Sequence, residues 1–172
     1  MYHFPNLDTK THAIMINELE RDFKNGLFYE PSSIKPEYIN SYKLLLRKYF
    51  EIGHVEGLEK TLTPSFFNSK YKNGRKIPSN IAQVVAFSDF NRYYARAILM
   101  RAIDEGKSVS IYRAKQSQKE RKESNMMIHR NYSDKNTLEQ LLCVMRDYRL
   151  LFLTNSKVDF IKPNSGLSLR LV

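Results

Sequence analysis

The sequence has no tryptophan, a single cysteine, and only six glycines and six prolines among 172 residues. With Cys143 alone, no internal disulfide and no multi-cysteine zinc site can form. Cys143 lies in the apolar run Leu-Leu-Cys-Val-Met, which reads as a small buried hydrophobe and not as a reactive thiol. The scarcity of glycine and proline, and the lack of a long low-complexity tract, exclude a disordered chain as the main reading. No segment repeats at a fixed period, so a solenoid is not expected. No apolar run approaches the roughly 20 residues that cross a bilayer, and the opening MYHFPNLDTKTH lacks a basic stretch leading into an apolar one. The expectation is a cytoplasmic protein with no membrane association.

Catalytic and metal-binding motifs are missing too. A nuclease of the PD-(D/E)xK type needs an acidic residue two positions before its strand lysine. The matching triplet here is Arg113-Ala114-Lys115, which lacks the metal-binding carboxylate. The four histidines, at 3, 12, 54 and 129, include no pair at i, i+3 or i, i+4, so no zinc motif forms. There is no glycine-rich phosphate loop and no Gly-x-Ser-x-Gly. His54 stands alone beside Glu51 and Glu56, and His129-Arg130-Asn131 is the one cluster that a metal-independent ribonuclease would use, with His129 as base. No cofactor or metal is expected.

What the chain does have is positive charge, +10 in total and unevenly placed. Residues 67–149 hold 17 basic and 8 acidic side chains, whereas residues 1–66 hold 8 and 9. Such asymmetry is expected where one surface faces a polyanion.

Length bounds the architecture: 172 residues suit one domain with a proper core, and two would be cramped. Ile14, Ile16, Leu19 and Phe23 give an amphipathic first helix, capped by Asp8 or Thr9 and stopped at Asn25-Gly26. LFYEPSSIKP reads as a loop. A second helix begins near Pro36 and ends at Gly53, or frays on to Lys60. Residues 61–78 are a loop by every local sign. A long helix then runs from an N-cap at Ser79 to a stop at Gly106, apolar enough to be central. Its polar row is Asp89, Arg92 and Arg96. Asp89 pairs with Arg92 at i, i+3, which leaves Arg96 the freer charge.

Beyond Gly106, SVSIYR alternates as a strand, and 116–136 reads as a long polar loop. A helix over about 137–148 follows. Leu150–Thr154, Lys157–Ile161 and Leu167–Val172 read as an antiparallel meander. The fold class is α+β in a single domain: a helical part over about 8–105, and an α/β part over about 107–172 with a small, mainly antiparallel sheet of three or four strands.

Three basic stretches carry the functional expectation. KYKNGRK clusters Lys70, Lys72, Arg75 and Lys76 around Tyr71, a composition that follows a phosphate backbone and stacks on a base. Arg96 is the second contributor. RAKQSQKERK supplies Arg113, Lys115, Lys119, Arg121 and Lys122. The reading is a small basic nucleic-acid-binding protein (DNA or RNA) without chemistry of its own, acting within a larger complex. The alternative is a structural or adaptor subunit of an assembly such as a phage particle or a defence or secretion complex. The many tyrosines and the 116–136 segment would then serve protein partners or a homo-oligomer.

Overall fold

A computed structural model describes residues 2–116, 122–153, 158–162 and 165–172. Helix α1 (Thr9–Asn25) starts where the Asp8 carboxylate accepts the Thr11 N–H at 2.9 Å, and it stops at Gly26 in the left-handed conformation. A 3-10 turn at Pro36–Tyr38 leads into α2 (Ile39–Ile52), which ends at Gly53 with φ +72°. That glycine is required: a Cβ there would meet His12 Nε2 at 2.7 Å. The helix therefore does not fray onward. The chain restarts as α3 (Val55–Thr61), where His54 Nδ1 accepts the Gly57 N–H at 2.7 Å. His54 acts as a helix cap here.

The central helix α4 (Ile81–Glu105) begins after Asn80, one residue later than the sequence predicts, and ends at Gly106. Its 25 residues span about 38 Å. Phe90, Tyr93, Tyr94, Ala97, Ile98 and Leu99 are fully buried on different sides of it, so neighbours must surround it. These are α1, α3, helix α6 (Lys135–Arg146) and the sheet. One contiguous apolar core joins Met15 and Leu19 of α1, Leu46 and Phe50 of α2, the middle of α4, Leu141 and Met145 of α6, and Leu167 and Leu169 near the C-terminus.

Among the described residues the sheet has three strands in the order β2-β1-β3, all antiparallel: β1 (Val109–Arg113) between β2 (Asn131–Tyr132) and β3 (Leu167–Leu171). Val109 faces Leu171 and Arg113 faces Leu167, which sets the register of the longer pairing. The α+β class with its small antiparallel sheet is as expected, but the strand roster is not. Of the expected strand Leu150–Thr154, the described residues 150–153 do not form one. The Asp147 side chain accepts the Arg149 N–H at 2.9 Å and starts a short helix, α7 (Tyr148–Leu151). The Lys157–Ile161 segment gives a 3-10 turn at Asp159–Ile161, which buries Phe160 and Ile161. Residues 154–157 lie outside the described residues. The expected 116–136 loop holds a single helical turn, α5 (Lys122–Asn125), together with β2, and its residues 117–121 are likewise outside the description.

Strand β1 buries both its faces, because the N-terminal residues cover the side away from the main core. His3 N–H donates to the Ala114 carbonyl at 2.8 Å, and the Tyr112 hydroxyl donates to the His3 carbonyl at 2.6 Å. Tyr2 stacks on Phe87 and Phe4 packs on Tyr94. Among the described residues, no helix is long and apolar enough to cross a membrane. Cys143, expected to be buried, is exposed on α6. The core-facing positions there are Leu138, Leu141, Leu142 and Met145, and Cys143 falls between them.

Candidate nucleic-acid interface

The basic stretch KYKNGRK folds as a small hairpin. Lys70 and Lys76 pair across it, the Tyr71 N–H donates to the Arg75 carbonyl at 2.8 Å, and the Gly74 N–H donates to the Tyr71 carbonyl at 2.9 Å. Asn73 tightens the tip by accepting the Arg75 N–H on its side-chain oxygen at 3.1 Å, and Gly74 supplies the φ of +81° that the turn requires. The loop expected from sequence is thus shaped by its own backbone hydrogen bonds. Lys70, Lys72, Arg75 and Lys76 are all exposed, and none forms an ion pair among the described residues. Tyr71 is half-buried and packs against the core, which fixes its ring at the base of the hairpin.

The hairpin forms one wall of an open groove of about 570 Å³. Lys72, Arg75 and Lys76 line it together with Tyr71 and Asn73, and the opposite wall is Asn80, Ile81 and Val84 at the start of α4. Among the described residues, no carboxylate lines this groove. The first turn of α4 also leaves backbone N–H groups without helical partners, adding positive potential to the same end. The structure therefore brings five of the predicted residues, Lys70, Tyr71, Lys72, Arg75 and Lys76, onto one hairpin, and all but Lys70 line the groove.

The other expected contributors part ways. Arg113 and Lys115 reach the same end of α4 because β1 runs back along it, but on another side. Lys115 Nζ donates to Gln83 Oε1 at 2.9 Å and lies over the Tyr2 and Phe87 rings. Burial pulls the Lys115 ammonium below its ordinary pKa, against the opposing pull of Glu59. Arg113 donates to the Asn125 side chain and to the Ser165 carbonyl. Lys122, at the start of α5, is exposed. Lys119 and Arg121 lie outside the described residues.

Arg96 is a correction. It is 1% exposed, the largest fully buried side chain described, and is not a free charge. Its guanidinium donates to Glu18 Oε2 at 2.6 and 2.8 Å and to both Asp22 oxygens at 2.6 and 2.9 Å. Arg146 from α6 closes the far side of Glu18 at 2.6 and 2.9 Å, and the Tyr93 hydroxyl donates to Asp22 at 2.8 Å. Burial would raise the Glu18 carboxyl, but the Arg146 hydrogen bond and the charges of Arg96 and Arg146 hold it below its ordinary value. The acids that neutralise Arg96 sit some 75 positions earlier on a different helix, beyond the reach of an i, i+4 argument.

Sequence reasoning also missed the floor and far wall beyond the hairpin. A second, smaller cleft opens from the groove at Ser32, Tyr71, Ile81 and Val84, which both share. It is walled by Tyr29, Pro31 and Ser33, and it ends on Val85, Ser88 and Asp89 of α4. Asp89 is 3% exposed. It accepts a short hydrogen bond from the Tyr42 hydroxyl and pairs with Arg92 at 3.0 Å. Burial outweighs both partners and raises the Asp89 carboxyl above its ordinary pKa. The helix itself was legible, with Asp89 in its polar row, but LFYEPSSIKP carried no sign that it would lie against residues 81, 84, 85, 88 and 89. His129 is exposed at a turn with φ +69°. Among the described residues no group of three or more His, Cys, Asp or Glu is placed to hold a metal ion. No protein-family model, curated protein or solved structure matches this chain.

Proposed function

We propose that this protein binds nucleic acid through the hairpin at 70–76, chiefly by contacts to phosphates, and does so without chemistry of its own, within a larger complex. One observation carries the reading: a groove lined by Lys72, Arg75 and Lys76, all exposed and without ion pairs among the described residues, with no carboxylate in its lining. Solvated cations spread over a whole surface serve solubility. Cations gathered in a groove without acids keep their field for a ligand. Arg96 drops out of the interface, and Lys115 and Arg113 act as secondary contributors at the same end of α4.

Binding of this kind is cumulative and falls steeply with salt. Oligonucleotide retention at low ionic strength, followed as salt rises, is the test. Replacing Lys72, Arg75 and Lys76 with Ala should abolish retention while leaving the unfolding midpoint unchanged. Each single replacement should flatten the log–log salt slope by about one. Undetectable binding at about 50 mM salt would end the proposal.

A second reading, a subunit that docks on a protein partner, is favoured by a run of exposed apolar side chains: Leu150, Phe152 and Leu153. Light scattering on the eluting protein discriminates. A stable multimer with no affinity for oligonucleotides would place this reading first.

A further inference from the structure

We infer that the cleft beyond the hairpin is a subsite for a single unpaired nucleobase, so that the ligand is a single strand and not a duplex. The inference rests on the phosphate-binding reading above and extends it inward. Groove and cleft are continuous through Ser32, Tyr71, Ile81 and Val84, so a strand whose phosphates lie on Lys72, Arg75 and Lys76 presents its bases towards Tyr71. The cleft holds about 240 Å³, roughly eight times the ~30 Å³ that a water molecule occupies in the liquid. That is room for one ring system and too little for a paired base step.

Its lining suits a base. Tyr29 and Tyr71 offer aromatic surface at the sides, and Pro31, Ile81, Val84 and Val85 supply apolar walls. The inner end is polar. Ser88 Oγ is shielded from solvent and has no hydrogen-bond partner among the described residues, while the Asp89 carboxylate beside it is held by Tyr42 and Arg92. A buried hydroxyl without a partner costs stability unless something satisfies it, and a base edge brings both donors and acceptors to that position. Arg92, stacked at 5.4 Å over the Tyr29 ring, keeps that ring in place. The tyrosine walls fit a flat aromatic ligand, and the acid-free groove outside fits the phosphates that travel with it. A run of four exposed cations along the hairpin exceeds what one free nucleotide would need, which favours a strand.

The test compares four probes on the full-length protein: a mixed-sequence single strand, its duplex, an abasic phosphodiester of equal length, and mixed free mononucleotides. A base stacked on an aromatic ring and satisfying the inner polar end raises affinity on the order of tenfold to a hundredfold. The single strand should therefore bind at least about tenfold tighter than the abasic chain and tighter than the duplex. Ser88→Leu, which fills the inner cleft, should bring single-strand affinity down to the abasic level and leave abasic binding unchanged. Equal affinity for single strand and abasic chain would overturn the subsite while leaving the phosphate contacts standing. Preference for the duplex would overturn it also, and mononucleotides binding as tightly as the strand would overturn the strand. These comparisons on the unmodified protein hold even if Ser88→Leu fails to fold. Absence of binding to every probe would instead remove the phosphate-binding reading itself.

Discussion

Arg96 shows how a buried charge is retained: four hydrogen bonds from its guanidinium meet two carboxylates, which also accept from Arg146, Tyr93 and Arg21. Removing one partner from such a cluster leaves the others charged and dry. Arg96→Met should therefore cost about 3–5 kcal/mol, read as a fall in the urea midpoint with unchanged slope. Arg146→Met, on a side chain 27% exposed, should cost clearly less, because solvent can replace it at Glu18. Equal losses would mean that burial does not set the energetics here. At this scale the sequence was least legible. Arg92 is paired locally with Asp89, but Arg96 and Arg101 are met by Glu18, Asp22 and Asp8, which sit at the start of α1 and along it, far away in the chain.

Helix boundaries were far more legible, because they are decided by a few neighbouring residues. Asp8, Gly26, Gly53 and Gly106 all act where their chemistry places them, and α4 differs from its predicted start by one position. Where reading failed, tertiary burial prevailed. The apolar segments after Asp147 look like strands in isolation, but they satisfy the core as short helical turns that bury Leu151, Phe160 and Ile161. The hairpin at 70–76 was legible in composition, and its groove was not, since the far wall comes from α4. Two glycines offer a controlled comparison. Gly26 and Gly53 share the left-handed conformation, but only Gly53 lies against a neighbour, His12. Gly26→Ala should cost about 1–2 kcal/mol for backbone strain alone. Gly53→Ala should cost measurably more in the same thermal unfolding assay, and matching values would show that His12 moves aside freely.

Across the whole molecule, the acid limb of stability follows from the direction of each carboxyl's shift. Glu18 is held below its ordinary value against the burial that opposes it, as is Asp8, where the Thr11 N–H and Arg101 prevail. Glu105, Asp134 and Asp147 are lowered by the side chains of Lys10, Thr137 and Arg149 respectively. For all five, the unfolded chain takes up protons first as pH falls. The stabilisation is complete well above the ordinary carboxyl pKa of about 4 and is lost progressively from about pH 5 downwards. Asp89 works in the opposite sense: its raised value makes the native state the better proton acceptor there, which opposes the loss. Urea midpoints measured along this limb should decline monotonically below about pH 4, and a midpoint that rises on acidification would show Asp89 outweighing the other five. The N-terminal cover over β1 and the late position of β3 have a further consequence, for the order of folding. Residues 2–4 rest on α4 and on Ala114, while β3 supplies five register positions to β1 and the Leu171 N–H donates to the Asn6 side chain. The first residues and the last described strand are thus neighbours, joined by contacts of very high sequence separation. During synthesis the N-terminal cover can rest on α4 but lacks its hydrogen bonds to Ala114 and Tyr112 until β1 is made, and β1 stays unpaired on one edge until β3 follows. Helices α1 to α3 can pack on α4 before the sheet exists, so closure of the sheet is a late and comparatively slow event set by chain topology.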